Sequence, residues 1–187
     1  KSWIESCNDK DGRVHGRVMT LRTVTGRMAH NSPNMAQIPA VRSPYGKECR
    51  ECWTVDNPYT HSIVGTDASG LELRMLAHYM AFYDRGEYAK IVTEGDVHTV
   101  NQKAAGLETR DQAKTFIYAL LYGAGDEMIG NIAGGNARLG QQLKRKFFSS
   151  LPALARLQED VQRKTKAGGE LKGLDGRILP VRSSHAA

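Results

Sequence analysis

The feature that most limits the fold of this chain is a change of pattern near residue 96. From Asp96 onward strand signals almost vanish, and helical segments are expected at about 97–105, 110–122, 126–133, 137–149 and 152–167. Thr109 can cap the second of these and Pro152 can open the last, while Gly168-Gly169 ends it. The front of the chain reads differently. Residues 1–30 hold short β-favouring pieces, Arg13-Val14-His15-Gly16 and Val18-Met19-Thr20-Leu21, which suit an antiparallel ribbon. Residues 31–60 hold Pro33, Pro39, Pro44 and Pro58 among Asn, Ser and Gly, so regular structure there should be sparse. Ser62-Ile63-Val64-Gly65-Thr66-Asp67 reads as a short buried strand ending in an aspartate. Gly70 through Asp84 reads as an amphipathic helix with Leu71, Met75, Leu76, Ala77 and Met80 on its apolar side. Leu171 to Arg182 reads as a hairpin around Leu174-Asp175-Gly176-Arg177, where Asp-Gly favours a tight turn. Sheet, then helices, then sheet again makes the fold class α+β.

At 187 residues the chain suffices for one ordinary domain or for two incomplete subdomains sharing a core. Hydrophobic residues at 40%, charged residues at 25% and a mean hydropathy of -0.48 are those of a globular, ordered protein. No apolar run reaches the roughly 18 residues of a membrane span, and Lys1-Ser2-Trp3-Ile4-Glu5 has no signal-peptide core, so no membrane partner and a cytoplasmic location are expected. The net charge of +6 suits a polyanionic partner. Cys49-Arg50-Glu51-Cys52 has zinc-like spacing, but only His61 lies near and a tetrahedral site needs four ligands; reduced thiols are the better reading. The chain opens on Lys1 and closes at Ser184-His185-Ala186-Ala187, and we expect both ends to be cuts in a longer chain.

Asp67-Ala68-Ser69-Gly70 places a carboxylate between a strand and a helix, where a hard cation can be held. Asp67 could give a carboxylate and Ala68 a main-chain carbonyl to Mg²⁺, which takes few carboxylates and keeps positions for water and phosphate. On local grounds Asp67 could equally be a helix cap, and Glu72, five residues on, could simply offset the helix dipole.

Arg110, Lys114, Tyr118 and Tyr122 stand at i, i+4, i+8 and i+12, one slowly winding stripe about 18 Å long at 1.5 Å of rise per residue. Ala113, Phe116, Ile117, Leu120 and Leu121 fall on the other side and can pack. The cations suit phosphates, Arg as a fork and Lys as a point charge, and the rings offer faces to sugar and base. A solvated cationic stripe with tyrosines at a core boundary has the same pattern. Gly123 and Gly125 close the helix and are not read as a phosphate loop.

Taken together, Asp67-Ala68-Ser69-Gly70-Leu71-Glu72-Leu73-Arg74 and Arg110 through Tyr122-Gly123 resemble motifs A and B of family A DNA polymerases, in order and spacing. Thr25-Gly26-Arg27, Asn34-Met35-Ala36-Gln37-Ile38-Pro39, Gly95-Asp96-Val97-His98-Thr99 and Gly173-Leu174-Asp175-Gly176-Arg177 also resemble family segments, so the resemblance covers nearly the whole chain. It is strongest to replicative enzymes of short-tailed bacteriophages, which would place the protein in a bacterial host's cytoplasm.

The resemblance implies an incomplete right-hand fold: partial palm at 1–95, helical fingers at 96–169, and a return toward the palm at 170–187. It implies a template-directed DNA polymerase acting on primer-template DNA and dNTPs with two Mg²⁺ ions. Asp67 would bind both ions and Ala68 would add its carbonyl. Ala68, Ser69, Gly70, Leu71, Glu72, His98, Arg110, Lys114 and Tyr118 would form the nucleotide site, with Glu72 a steric gate against ribose. Arg110 and Lys114 would hold the β- and γ-phosphates. Tyr118 would lie under the sugar, and a Tyr there resembles enzymes that accept dideoxynucleotides. Arg27, Gln37, Tyr122 and Gly123 would meet primer or template. The family's second catalytic aspartate sits in a His-Asp-Glu motif, and no His-Asp pair occurs in this sequence, so the chain alone should be almost inert. Two rivals remain: a single-subunit RNA polymerase, against which Glu72 speaks, and a non-catalytic DNA-binding module. Whether a processivity partner binds the parent is left open.

Overall fold

The computed structural model describes residues 2–23 and 26–179. Thr25, and residues 180–182 of the expected hairpin, lie outside these. The chain divides into two compact units, with the division between Asp67 and Ala68; residues 172–179 belong with the N-terminal unit.

The N-terminal unit holds α1 (Ser2–Glu5), β1 (Arg17–Met19), β2 (Ala29–Asn31) and α2 (Gly46–Glu51). β1 and β2 pair antiparallel with Val18 opposite His30, so an antiparallel ribbon forms, although its second strand lies downstream of the pieces the sequence suggests. Among the described residues of this unit only Gly46 is buried, packed so closely on Ala40 that a Cβ there would overlap its carbonyl oxygen. Pro33, Pro39, Pro44 and Pro58 each fix φ and lack a main-chain donor, which interrupts ladders between 31 and 60, and α2 is the one helix among the described residues of that stretch.

The expected strand at 62–67 does not form. A strand exists only as a member of a pair, and no described strand pairs with this segment. Ile63 and Val64 are 63% and 85% exposed, so the expected burial fails for the same reason.

The helical unit is α3 (Leu71–Asp84), α4 (Glu87–Glu94), α5 (Val97–Ala105), α6 (Arg110–Leu121), α7 (Asp126–Ile132), α8 (Ala137–Ser150) and α9 (Pro152–Lys166). Its core is built from Leu73, Ala77 and Met80 of α3, Ala113, Phe116 and Ile117 of α6, and Phe147 of α8. The apolar face of α3 is thus at 73, 77 and 80; Leu71 and Met75, expected to pack, are 49% and 40% exposed. Leu73, Ala77 and Met80, at i, i+4 and i+7, form the buried stripe of a helix that packs on α4 and α9, and Leu71, two residues before Leu73, falls on the opposite side. Phe116 and Phe147 meet edge to face at 5.1 Å, and full burial of each ring contributes about 1.5–3 kcal/mol.

α4 has no strong sequence signal. Its start is set by Asp84, whose carboxylate accepts from the N–H groups of Gly86 and Tyr88 at 2.9 and 3.0 Å. Tyr88 then buries its ring and exchanges hydrogen bonds with fully buried Asn101, which ties α4 to α5. α7 and α8 cross closely through Gly130 and Gly140: a Cβ on either would overlap backbone, the Asn136 carbonyl oxygen in one case and that of Asp126 in the other. The short strands β3 (Leu171–Lys172) and β4 (Ile178–Leu179) pair around a turn in which Gly176 has φ 82°, so the Asp-Gly turn forms where expected. No helix among the described residues is long and apolar enough to cross a membrane.

Candidate functional site

The site is organised by α6, whose position is fixed at both ends. Thr109 accepts from the Gln112 N–H at 3.1 Å and Gln112 returns the bond to the Thr109 N–H at 3.1 Å, a reciprocal capping box. At the other end Gly123, with φ 77°, takes the chain out of the helix, and Lys144 of α8 donates to the Ala124 carbonyl at 2.7 Å and to Asp126 at 2.8 Å. Ala113, Phe116 and Ile117 have no exposure, so the packed face of α6 cannot roll. Lys114 and Tyr122 are exposed and Tyr118 partly so, which is the stripe the spacing predicts.

At the N-terminal end of α6 the Arg110 guanidinium meets Asp96. Nε lies 3.0 Å from Oδ2, and Nη2 lies 3.1 Å from Oδ1. Asp96 is also the N-cap of α5 and accepts from the Thr99 hydroxyl at 2.8 Å. Arg110's fork, and then the Thr99 hydroxyl, hold the Asp96 carboxyl well below its ordinary value of 3.8. Folding therefore favours its ionised form: that stabilising contribution is complete above the ordinary value and is lost as pH falls through the lowered one.

His98 follows in the first turn of α5. Burial, then the nearby charges of Arg110 and Lys114, push its pKa below 6.5 against an opposing pull from Asp96. Its Nδ1 is buried and has no hydrogen-bond partner among the described residues. Two cations, Arg110 and Lys114, lie in electrostatic reach of a His98 that they and burial hold toward its neutral form, and an anion between them would relieve that repulsion.

At the other end of the stripe the Tyr122 hydroxyl donates to Glu72 Oε1 at 3.3 Å. Burial, then the charge of Glu72, raises the Tyr118 phenol above its ordinary value. Glu72, Tyr118 and Tyr122 thus form one cluster. Ahead of Glu72, Gly70 enters α3 with φ 61° and Arg74 donates to the Ser69 carbonyl at 2.9 Å, so the segment from Ala68 to Leu71 is a turned lead-in and Leu71 is its exposed first helical residue. Asp67, Arg27 and Gln37 are exposed and belong to the N-terminal unit.

The structure also gives a role to Asp96, which the sequence reading placed in a family segment without assigning it one. Its signal was an aspartate immediately before a helix, with Thr three positions on.

With this geometry in view, the comparisons fix the class: the model for DNA polymerase family A matches residues 1–187, and the chain belongs to that family. It is 47% identical over 209 aligned positions to the DNA-directed DNA polymerases of Enterobacteria phage T3 and of Escherichia phage T7, covering all of this chain and 29% of each relative. DNA polymerase I of Helicobacter pylori is 29% identical over 85% of this chain and 18% of its own length. Among solved structures, the POL domain of Pol1 from M. smegmatis, in complex with DNA primer-template and dNTP, superposes with a TM-score of 0.73 at 21% identity, covering 95% of this chain and 32% of that one. The α+β polymerase fold is thereby established. The chain spans under a third of the length of the phage relatives.

Proposed function

We propose that this chain is the nucleotide-selecting part of a template-directed DNA polymerase, whose complete form adds deoxynucleotides to a DNA primer end. One observation carries the reading: α6 gathers Arg110, Lys114 and His98 at one end of its exposed face and Tyr118, Tyr122 and Glu72 at the other. A polyanion with an aromatic base and a sugar is the ligand with that sequence of chemistry. Arg110 and Lys114 hold the β- and γ-phosphates and offset charge that develops in transfer. His98, in electrostatic reach of both at the start of α5, stands beside them. Tyr118 lies under the sugar, Glu72 crowds a 2′-hydroxyl, and Tyr122 with Gly123 borders the templating base.

DNA and dNTP, the partners in the mycobacterial complex, are the partners assigned here, with Arg27 and Gln37 on primer and template. Asp67 and the Ala68 carbonyl take the metal positions. One exposed carboxylate beside a carbonyl suits Mg²⁺, which takes one or two carboxylates and completes its octahedron with water and phosphate; no cluster of three or more acidic, His or Cys ligands occurs among the described residues. Asp67 and the Ala68 carbonyl would hold such ions, whose charge, when bound, would favour the deprotonated primer 3′-hydroxyl and offset the charge of the leaving pyrophosphate. The second carboxylate comes from outside these 187 residues.

The test is primer extension with Mg²⁺ and four dNTPs, running the 187-residue chain beside a version continued through the downstream gene sequence. Extension by the longer protein alone is expected. Extension by the short chain would mean that another of its carboxylates serves as the second ligand, and would overturn this account of the site.

A further inference from the structure

One carboxylate joins the two elements that carry the phosphate-facing groups. Asp96 Oδ1 accepts from the His98 N–H at 3.2 Å and from Arg110 Nη2 at 3.1 Å, while Oδ2 accepts from the Thr99 hydroxyl at 2.8 Å and from Arg110 Nε at 3.0 Å. The start of α5, with His98, and the start of α6, with Arg110, are therefore referred to one point.

The way Arg110 is held matters. A guanidinium has five N–H donors, and Asp96 engages only the Nε–Nη2 edge. The Nη1–Nη2 edge has no protein acceptor among the described residues and remains a two-pronged donor for a phosphate. Asp96 and a phosphate can thus engage Arg110 together, on different edges.

A purely structural role accounts poorly for this pair. Its side chains are 53% and 47% exposed, and exposed ion pairs contribute little to stability. The cap on α5 does not need a charge, since Asn caps as well as Asp. What the charge adds is a fixed direction for a long, rotamer-rich side chain.

We propose that Asp96 is a positioning residue for the nucleotide site: it grips Arg110 by its inner edge so that the outer edge is presented, already aimed, to the triphosphate. This rests on the triphosphate reading of α6. The role makes a prediction of unusual sign. Deleting a negative charge beside a cationic site should by electrostatics alone tighten anion binding. If Asp96 preorganises Arg110, Asp96→Asn should weaken it.

The experiment is titration of the ¹⁵N-labelled 187-residue chain with inorganic tripolyphosphate and with dATP. Binding is followed at the Arg110 Nε–H and at the Lys114 and His98 signals, at about 0.15 M and about 0.5 M salt to vary the screening. In the unaltered chain both probes should shift these signals while the Arg110 Nε–H stays protected, still held by Asp96. In Asp96→Asn, the cap is retained and the melting temperature should fall only slightly, the loss of one half-exposed ion pair, whereas affinity for both probes should fall about three- to tenfold, the size expected when one long side chain must be ordered on binding. The loss should persist at the higher salt. Thr99→Val, which removes a donor from Oδ2 without touching Arg110, should give a smaller loss of the same sign. Binding at Arg110 and Lys114 that is unchanged or tighter in Asp96→Asn overturns the positioning role alone. Absence of binding, or binding that leaves Arg110 and Lys114 unmoved, overturns the triphosphate reading beneath it.

Discussion

Glu72 is the residue whose proposed job is most exposed to test. It stands in the first turn of α3, accepts from the Tyr122 hydroxyl at 3.3 Å, and its charge reaches the Tyr118 phenol. On the proposed reading, a carboxylate held by the Tyr122 hydroxyl and in charge reach of the Tyr118 phenol would crowd the 2′ position of a bound sugar, and a 2′-hydroxyl would have to displace it. In the complete enzyme, Glu72→Ala should narrow the preference for deoxy- over ribonucleotides by on the order of a hundredfold, the scale on which a pocket discriminates one hydroxyl. Competition between dATP and ATP in single-nucleotide incorporation measures this directly, and an unchanged ratio would remove Glu72 from sugar selection. The stripe of Arg110, Lys114, Tyr118 and Tyr122 was legible from spacing alone, because a helix converts sequence separation into direction. Asp96 was not, because its partner is 14 residues away on another helix, and only the turn from Gly106 to Thr109 decides that the two meet.

Helices were the legible elements here, for a local reason. Thr109 with Gln112, Pro152 at the first turn of α9, and Gly106 at the end of α5 with φ 75° are stop and start signals that act within a few residues. The segment 62–67 carries an equally good β pattern, yet its structure depends on a neighbour that local residues cannot supply. The crossing of α7 and α8 is non-local in the same sense. Nothing in the sequence says that Gly130 and Gly140 face each other, but a Cβ at 140 would overlap the Asp126 carbonyl oxygen and stand 2.8 Å from the Gly130 nitrogen. Both obstacles are backbone and cannot rotate away. Ala is ordinarily favoured over Gly within a helix by about 1 kcal/mol, so the sign of Gly140→Ala discriminates between propensity and packing. Overpacking should win, with a net loss of up to about 2 kcal/mol in chemical denaturation. A more stable Gly140→Ala protein would show that the two helices move apart easily. The crossing also sets Lys144 against Ala124 and Asp126, so loosening it should disturb the exit of α6 near Tyr122.

At the scale of the whole molecule the two units differ in what can hold them together. Ala68–Leu171 has a continuous core in which Phe116, Ile117, Ile129 and Phe147 have no exposure. The N-terminal unit has one buried residue among those described, and Val18, Leu21, Met28, Val41, Trp53 and Ile63 are all substantially exposed. Local opening should therefore cost little before residue 68 and much more after it. Trypsin reads that difference, since it cuts chain that can leave its folded conformation. The N-terminal unit presents Arg13, Arg17, Arg22, Arg42, Lys47 and Arg50, whereas no Lys or Arg occurs between Arg50 and Arg74, which lies inside α3. Brief digestion of the 187-residue chain should remove the front in small pieces and leave a fragment beginning at Glu51 that contains all seven helices from α3 to α9. Its helical circular dichroism should melt in one transition. The competing site is Arg85, at the left-handed turn between α3 and α4, with φ 57°. Cleavage there as early as at Arg50 would mean that α3 is not held by the buried Leu73, Ala77 and Met80. The helical unit would then need more than its own core to fold, and the arrangement on α6 would not be set by this unit alone.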